Sequence, residues 1–307
     1  MRNFTLFVLA TIISHVAFAW LPFEAREFSV GGGLGPYWAA ATFYLISLIL
    51  SFSVLAVFPS GRRQIRDVRQ IGGVGVGAGL WFLFIVLSVG MVFAYYVGLQ
   101  KSGPAPFQLW TRLDMFIAFI LGPILLRERV GMVAAIATFL GFLSWFGIFF
   151  SSPTQYDHEA IAWAAGYVVL NGFLCVVTKG ICDQISEGTL YLVRTTIVMI
   201  ALVLGGVLLQ GTAPSFGTLE LRHWIAGVAS AIFLAGVIYG RFAALRRGPL
   251  WLYAAVGVVQ VGAVKGFDWL YGKNELSWLQ VLLGIFMFVS AAVALWSMNR
   301  IHLKERQ

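Results

Sequence analysis

Ten stretches of about 20 mainly apolar residues follow one another along this chain, and nothing else limits its fold as tightly. They run 4–21, 37–58, 72–98, 106–126, 130–150, 161–181, 189–209, 224–245, 250–271 and 278–298. A helix crossing the roughly 30 Å hydrocarbon layer needs about that length. Backbone groups in hydrocarbon must also satisfy one another, so the segments are helical. Of the 307 residues 60% are hydrophobic and only 11% charged, too few charges to cover a water-soluble particle of this size. An ordinary soluble enzyme is thereby excluded. The expected fold class is an all-α membrane protein with ten transmembrane helices.

The formal charge is +8, which in a soluble protein would raise the question of nucleic acid; here most of it sits in short loops, where it sets membrane orientation. With the N-terminus inside and an even number of crossings, twelve Lys and Arg fall on the cytoplasmic side: Arg2, Arg62, Arg63, Arg66, Arg69, Arg127, Arg129, Arg246, Arg247, Arg300, Lys304 and Arg306. Only Arg26, Lys101, Arg222 and Lys273 fall outside. Both termini are therefore expected in the cytoplasm, in a bacterial inner membrane. Lys179, Arg194 and Arg241 lie inside spans near cytoplasmic ends and are expected to snorkel to the interface. Ala17-Phe18-Ala19 imitates a secretory cleavage site, but the apolar run before it is long enough to span and is expected to be retained. Cys175 and Cys182 share one helical face and are expected to be buried thiols. Four scattered histidines and no Cys-x-x-Cys leave neither a metal site nor a cofactor site.

The chain also repeats itself. Leu99-Gln100-Lys101-Ser102-Gly103-Pro104 joins spans three and four, and Leu245-Arg246-Arg247-Gly248-Pro249 joins spans eight and nine. After each Gly-Pro an apolar span closes on a charged cluster containing Glu128 or Glu275, and a last helix follows. Five spans per half is an odd number, so residues 1–152 and 153–307 form two repeats in opposite orientations around a central cavity.

These junctions, the Leu125-Leu126-Arg127-Glu128-Arg129-Val130 ending of span four and the Leu270-Tyr271-Gly272-Lys273-Asn274-Glu275-Leu276 ending of span nine resemble the EamA-type repeat of the drug/metabolite transporter superfamily. The resemblance covers nearly the whole chain through helix count and order. It implies a cavity lined by spans one to four and six to nine, and exporters of amino acids, metabolites or sugar conjugates. Arg112 and Asp114 in span four are this chain's departure from that pattern.

Four charges inside spans have no easy route to water: Arg112, Asp114, Lys265 and Asp268. Each costs about 2.5–3.5 kcal/mol at mid-bilayer, so they must face protein or a wet cavity. Arg112 lies eight residues past Pro104 and Lys265 eight before Lys273, which puts both about 12 Å below the outer surface, with His15 at a similar level. On a regular helix Arg112 and Asp114 stand about 200° apart and cannot pair, whereas Lys265 and Asp268 can. The expected arrangement is a polar cluster between facing spans four and nine, with Asp114 or Asp268 answering Arg112. A bland alternative is an ion-pair network that fixes helix register.

Tyr253, Gly257, Gln260, Asp268 and Tyr271 share one face of span nine, and Gln108, Arg112, Met115 and Phe119 one face of span four. Tyr95, Tyr96, Trp81 and Asn171 complete the candidate lining. The Gly-x-x-x-Gly pairs Gly73 with Gly77, Gly236 with Gly240 and Gly262 with Gly266 are expected to bring helices close.

The function expected is secondary transport of a small molecule by alternating access in the lipid bilayer, with amino-acid or similar zwitterion export as the first choice. Proton coupling could run through Asp114, Asp268 or Lys265, and oligomeric state is unspecified. An anionic conjugate such as a nucleotide sugar or lipid-linked sugar, held by Arg112 and Lys265, is the alternative. An intramembrane aspartyl protease is remote, because Asp268 follows Lys265-Gly266-Phe267 and not the Gly-x-Gly that such a site resembles. A receptor or scaffold would have no cavity at the charged level.

Overall fold

The computed structural model describes residues 2–68, 77–151, 157–211, 214–270 and 275–304. It is helical throughout, with no strand among the described residues. The helices are α1 (Arg2–Arg26), α2 (Pro36–Val57), α3 (Pro59–Asp67), α4 (Ala78–Ser102), α5 (Pro104–Thr111), α6 (Leu113–Leu126), α7 (Met132–Phe150), α8 (His158–Cys182), α9 (Glu187–Gly205), α10 (Leu221–Arg247), α11 (Leu250–Gly257), α12 (Val259–Leu270) and α13 (Trp278–Lys304). With α5 and α6 taken as one crossing, α11 and α12 as another and the short amphipathic α3 set aside, ten segments are long and apolar enough to cross a membrane. Large apolar side chains such as Phe82, Met132, Phe150 and Leu208 cover the outside, a surface that suits lipid and not water. The chain is an integral membrane protein.

Local chemistry starts and stops these helices. Pro36, Pro59 and Pro104 occupy first turns, where a missing N–H costs nothing. Asp157 caps α8 by accepting from the Glu159 N–H, and Ser186 caps α9 by accepting from the Thr189 N–H. Gly103 turns the chain between α4 and α5 at φ 85°, a conformation a side chain would strain.

Four helix pairs build the body: α1 against α10, α4 against α8, α2 against α9 and α7 against α13. Glycine makes the first pair close. A Cβ at Gly240 would stand 2.9 Å from the Ala10 carbonyl oxygen, and one at Gly236 3.2 Å from the Ala17 Cβ. Of the other expected glycine pairs, Gly262 meets the Gly284 Cα but Gly266 faces open space, and Gly73 lies outside the described residues.

Two expected spans depart from simple rods. The fourth crossing breaks at Arg112 after the eight residues of α5, and the ninth breaks at Val258 after the eight residues of α11. The third crossing begins at Ala78 and not Gly72, and residues 71–76 of the glycine-rich stretch lie outside the described residues. The broken crossings pack on one another, α6 against α11 and α5 against α12, so their interruptions meet in the middle of the molecule.

Candidate functional site

The break at Arg112 decides the site's chemistry. There the backbone leaves the regular helix (φ −71°, ψ −9°), and the two side chains swing to the same side. Arg112 and Asp114 consequently form an ion pair at 3.3 Å, with 2% and 0% side-chain exposure. This corrects the expectation that they could not meet, since the 200° separation holds only for an unbroken helix.

A continuous polar web spreads from that pair. The Asn171 amide of α8 donates to the Asp114 carboxylate, and its oxygen accepts from Arg241 Nη1 of α10 at 2.7 Å. Arg241 Nε donates to the Tyr253 hydroxyl at 3.4 Å, which in turn lies 3.0 Å from the Ser14 hydroxyl. On the other side Arg112 Nη1 donates to Gln260 Oε1 at 2.9 Å, and Nη2 reaches the Tyr167 hydroxyl at 3.4 Å. The Arg112 guanidinium also sits 4.4 Å over the Phe18 ring, a cation–π contact. Gln260 Nε2 donates to Gln108, whose own amide donates to the Phe18 carbonyl and the Tyr95 hydroxyl. His15 closes the circuit, 3.3 Å from Gln260 Oε1 and 3.1 Å from the Tyr253 carbonyl. Six crossings thus meet through side chains.

Arg112, Asp114, His15, Gln108, Gln260, Tyr253, Asn171 and Tyr95 are all brought together as members of this web. Tyr96 lines the adjoining cavity. Lys265 and Asp268 are buried on α12 five and eight residues beyond Gln260, about 7 and 12 Å of helical rise, and Asp268 is the charge acting on Lys265. Trp81 stands near the start of α4 against Phe84 and does not line the cavity. Tyr271 lies outside the described residues. The stripe read along span nine is cut at Val258, so Tyr253 and Gly257 belong to one rod and Gln260 and Asp268 to another.

Arg194 and Arg241 overturn a second expectation. Neither snorkels; they are 4% and 6% exposed and line a central cavity. The cavity holds about 30 Å³ and is walled by Phe18, Tyr44, Tyr95, Tyr96, Tyr167 and Phe242 besides the two arginines. Arg194 lies beside the Tyr44 hydroxyl. A separate apolar crevice of about 280 Å³ between α1, α12 and α13 reaches His15 and Gln260 from outside.

Side-chain ties join helices at both ends of the molecule. At one end the Glu128 carboxylate accepts from the Leu250 and Trp251 N–H groups at 2.8 and 3.1 Å, capping α11 from across the molecule. Burial pushes the Glu128 carboxyl above its ordinary value, against those two N–H groups and the charge of Lys179. Beside it Lys179 donates to the Leu245 carbonyl, and Glu187 takes both Arg246 and Arg247, at 3.0 and 2.6 Å. At the other end an exposed Lys101–Glu159 pair and a Gln100 bond to the Leu34 carbonyl join neighbouring crossings. No three His, Cys, Asp or Glu among the described residues could hold a metal together, and both cysteines are buried and free.

No family model matches the chain, and no curated protein is matched by its sequence. Among solved structures, one described simply as the crystal structure of a protein superposes with a TM-score of 0.75. The match covers 96% of this chain and 99% of the other, at 17% identity. Likeness at that identity shows that the fold is shared.

Proposed function

We propose that the chain is a secondary transporter that passes a small polar metabolite across the membrane by alternating access. In this reading the halves 1–152 and 153–307 are inverted repeats, both termini are cytoplasmic, and the end closed by Glu128 and Glu187 is the inner gate. One observation carries it: a buried web of ionised and polar side chains where two broken crossings meet, beside a central cavity lined by two arginines. Helices interrupted at the centre recur where a transporter's substrate site lies between repeats. A purely structural network would explain the hydrogen bonds but not arginines that wall a cavity. Asp114, engaged by Arg112 and Asn171, does not share a proton with a second aspartate as a protease dyad would.

Of the two substrate classes considered, the anion is favoured. A zwitterion needs a carboxylate beside the site to meet its ammonium group, and the cavity is lined by two arginines and no acid; Asp114, whose Oδ2 takes both Arg112 and Asn171 while Oδ1 is buried without a partner, lies outside that lining.

The test is counterflow in proteoliposomes holding the purified chain, screened with amino acids, carboxylates and sugar phosphates. Arg112→Ala should reduce any flux at least tenfold while the protein still elutes as a single species. Near-normal flux in that variant would remove the web from the transport path. A reporter fused after Gln307 should read as cytoplasmic, and an external signal would overturn the orientation.

A further inference from the structure

We propose that the cavity among α1, α2, α4, α8, α9 and α10 binds a monovalent organic anion, a carboxylate on a flat or apolar body, through Arg194 and Arg241. The inference rests on the transport reading for its purpose, since a charged site in the middle of a membrane protein serves a solute in passage.

Charge is the first argument. Two guanidinium groups line the cavity and no acidic side chain does. The one carboxylate near Arg241 is Asp114, which is hydrogen-bonded to it through Asn171 and pairs directly with Arg112, so a single negative charge is shared by two arginines and none faces Arg194 in the cavity. No ion pair among the described residues involves Arg194 or Arg241. A cation buried without a counter-charge is costly, and removing the cost requires an anion at this place.

Unused donors are the second. Arg194 Nη1, the Tyr96 hydroxyl and the Thr178 hydroxyl are buried without a hydrogen-bond partner, and all three residues line the cavity. All three residues are more than nine-tenths buried. Buried polar atoms are seldom left unpaired, so three converging on one space mark a place for an acceptor.

Shape sets the class. Arg241 has already spent Nε on Tyr253 and Nη1 on Asn171, which leaves one arm and its charge. Together with Arg194 this suits the two oxygens of a carboxylate better than the larger oxygen set and double charge of a phosphate. The space of about 30 Å³ accepts little more than such a head. Apart from Thr178 the rest of the wall is aromatic and aliphatic, so the body it meets as the helices part is flat or apolar.

The experiment uses the full chain in lipid nanodiscs and follows thermal unfolding against rising benzoate, phenylpyruvate or hexanoate. Each is paired with its neutral or charged counterpart: benzamide, hexanamide, benzylammonium and L-phenylalanine. Carboxylates should raise the midpoint saturably and the counterparts should not. Arg194→Gln should weaken carboxylate binding about 10- to 150-fold, the worth of one charged hydrogen bond, and Arg194→Lys should keep part of it. Equal binding by amide, ammonium or zwitterion, no response to any carboxylate, or unchanged binding in Arg194→Gln would overturn the proposal. If the variants do not fold, the selectivity of the unaltered chain decides. Counterflow separates the two readings: flux of a zwitterion without carboxylate binding keeps transport and ends the anion site. Carboxylate binding without flux of any solute does the reverse.

Discussion

Asp114 has no exposed surface, and it faces an arginine and an asparagine that leads to a second arginine. Its charge is the one acid of the web, so Asp114→Asn should do more than lose a hydrogen bond. The variant leaves Arg112 buried without its partner, a change worth about 3–5 kcal/mol where such pairs have been broken. Denaturant unfolding in detergent should show a loss of that order, and a change below about 1 kcal/mol would mean that Arg112 finds another partner. Replacing Arg112 and Asp114 together by uncharged residues should restore part of the loss. Most of the web could be read residue by residue, because an ion or amide placed mid-span has to meet protein. Arg194 and Arg241 escaped that logic because both lie six or seven residues from a helix end, close enough for a long side chain to reach water. The signal was on α10 itself. Gly236 and Gly240 mark the face pressed on α1, and Val237 and Arg241, one position along, turn inward with it to the cavity.

At the scale of helices, count and order follow from apolar length, and the interruptions do not. Thr111-Arg112-Leu113 and Gly257-Val258-Val259 hold no proline, so a break there depends on what the side chains find once packed. Arg112 meets Asp114 only by leaving the regular helix, and it bonds Gln260 and Tyr167 from the same place. Glu128 illustrates the same dependence between elements, since a sequence shows an acid at the end of a span but not the helix start it caps 122 residues later. Its raised pKa makes the closed arrangement favour the protonated carboxyl more than the unfolded chain does. The stability it contributes is therefore full below its ordinary 4.5 and declines as pH rises through the raised value. Glu128→Gln, which keeps the side chain's shape without the titration, should flatten that decline. Unfolding midpoints measured from about pH 4 to 8 should show the unaltered chain losing stability relative to the variant as pH rises. Parallel curves would show that Glu128 does not titrate between the closed and unfolded states.

Taken whole, the molecule carries ties at both ends around a central space of about 30 Å³, too small for a metabolite, and in the proposed transporter those ties are the two gates. The two closures differ in kind. Lys101 and Glu159 are solvent-exposed partners, worth little in water, whereas Glu187 is buried and holds two arginines at the end of α10. The buried closure should therefore control opening on its side. Cys182, the last residue of α8, is 1% exposed at that end, and Cys175 lies deeper at 0%. In the unaltered chain neither thiol should react readily with a membrane-impermeant maleimide. Glu187→Gln removes the charge that binds Arg246 and Arg247 together, and labelling of Cys182 should accelerate several-fold while Cys175 lags behind. If Cys182 stays as slow as in the unaltered chain, the ion-pair cluster is not what holds that end closed, and the ties between residues 1–152 and 153–307, the capping of α11 by Glu128 and the Thr189 bond to the Gln64 carbonyl, become the next to test.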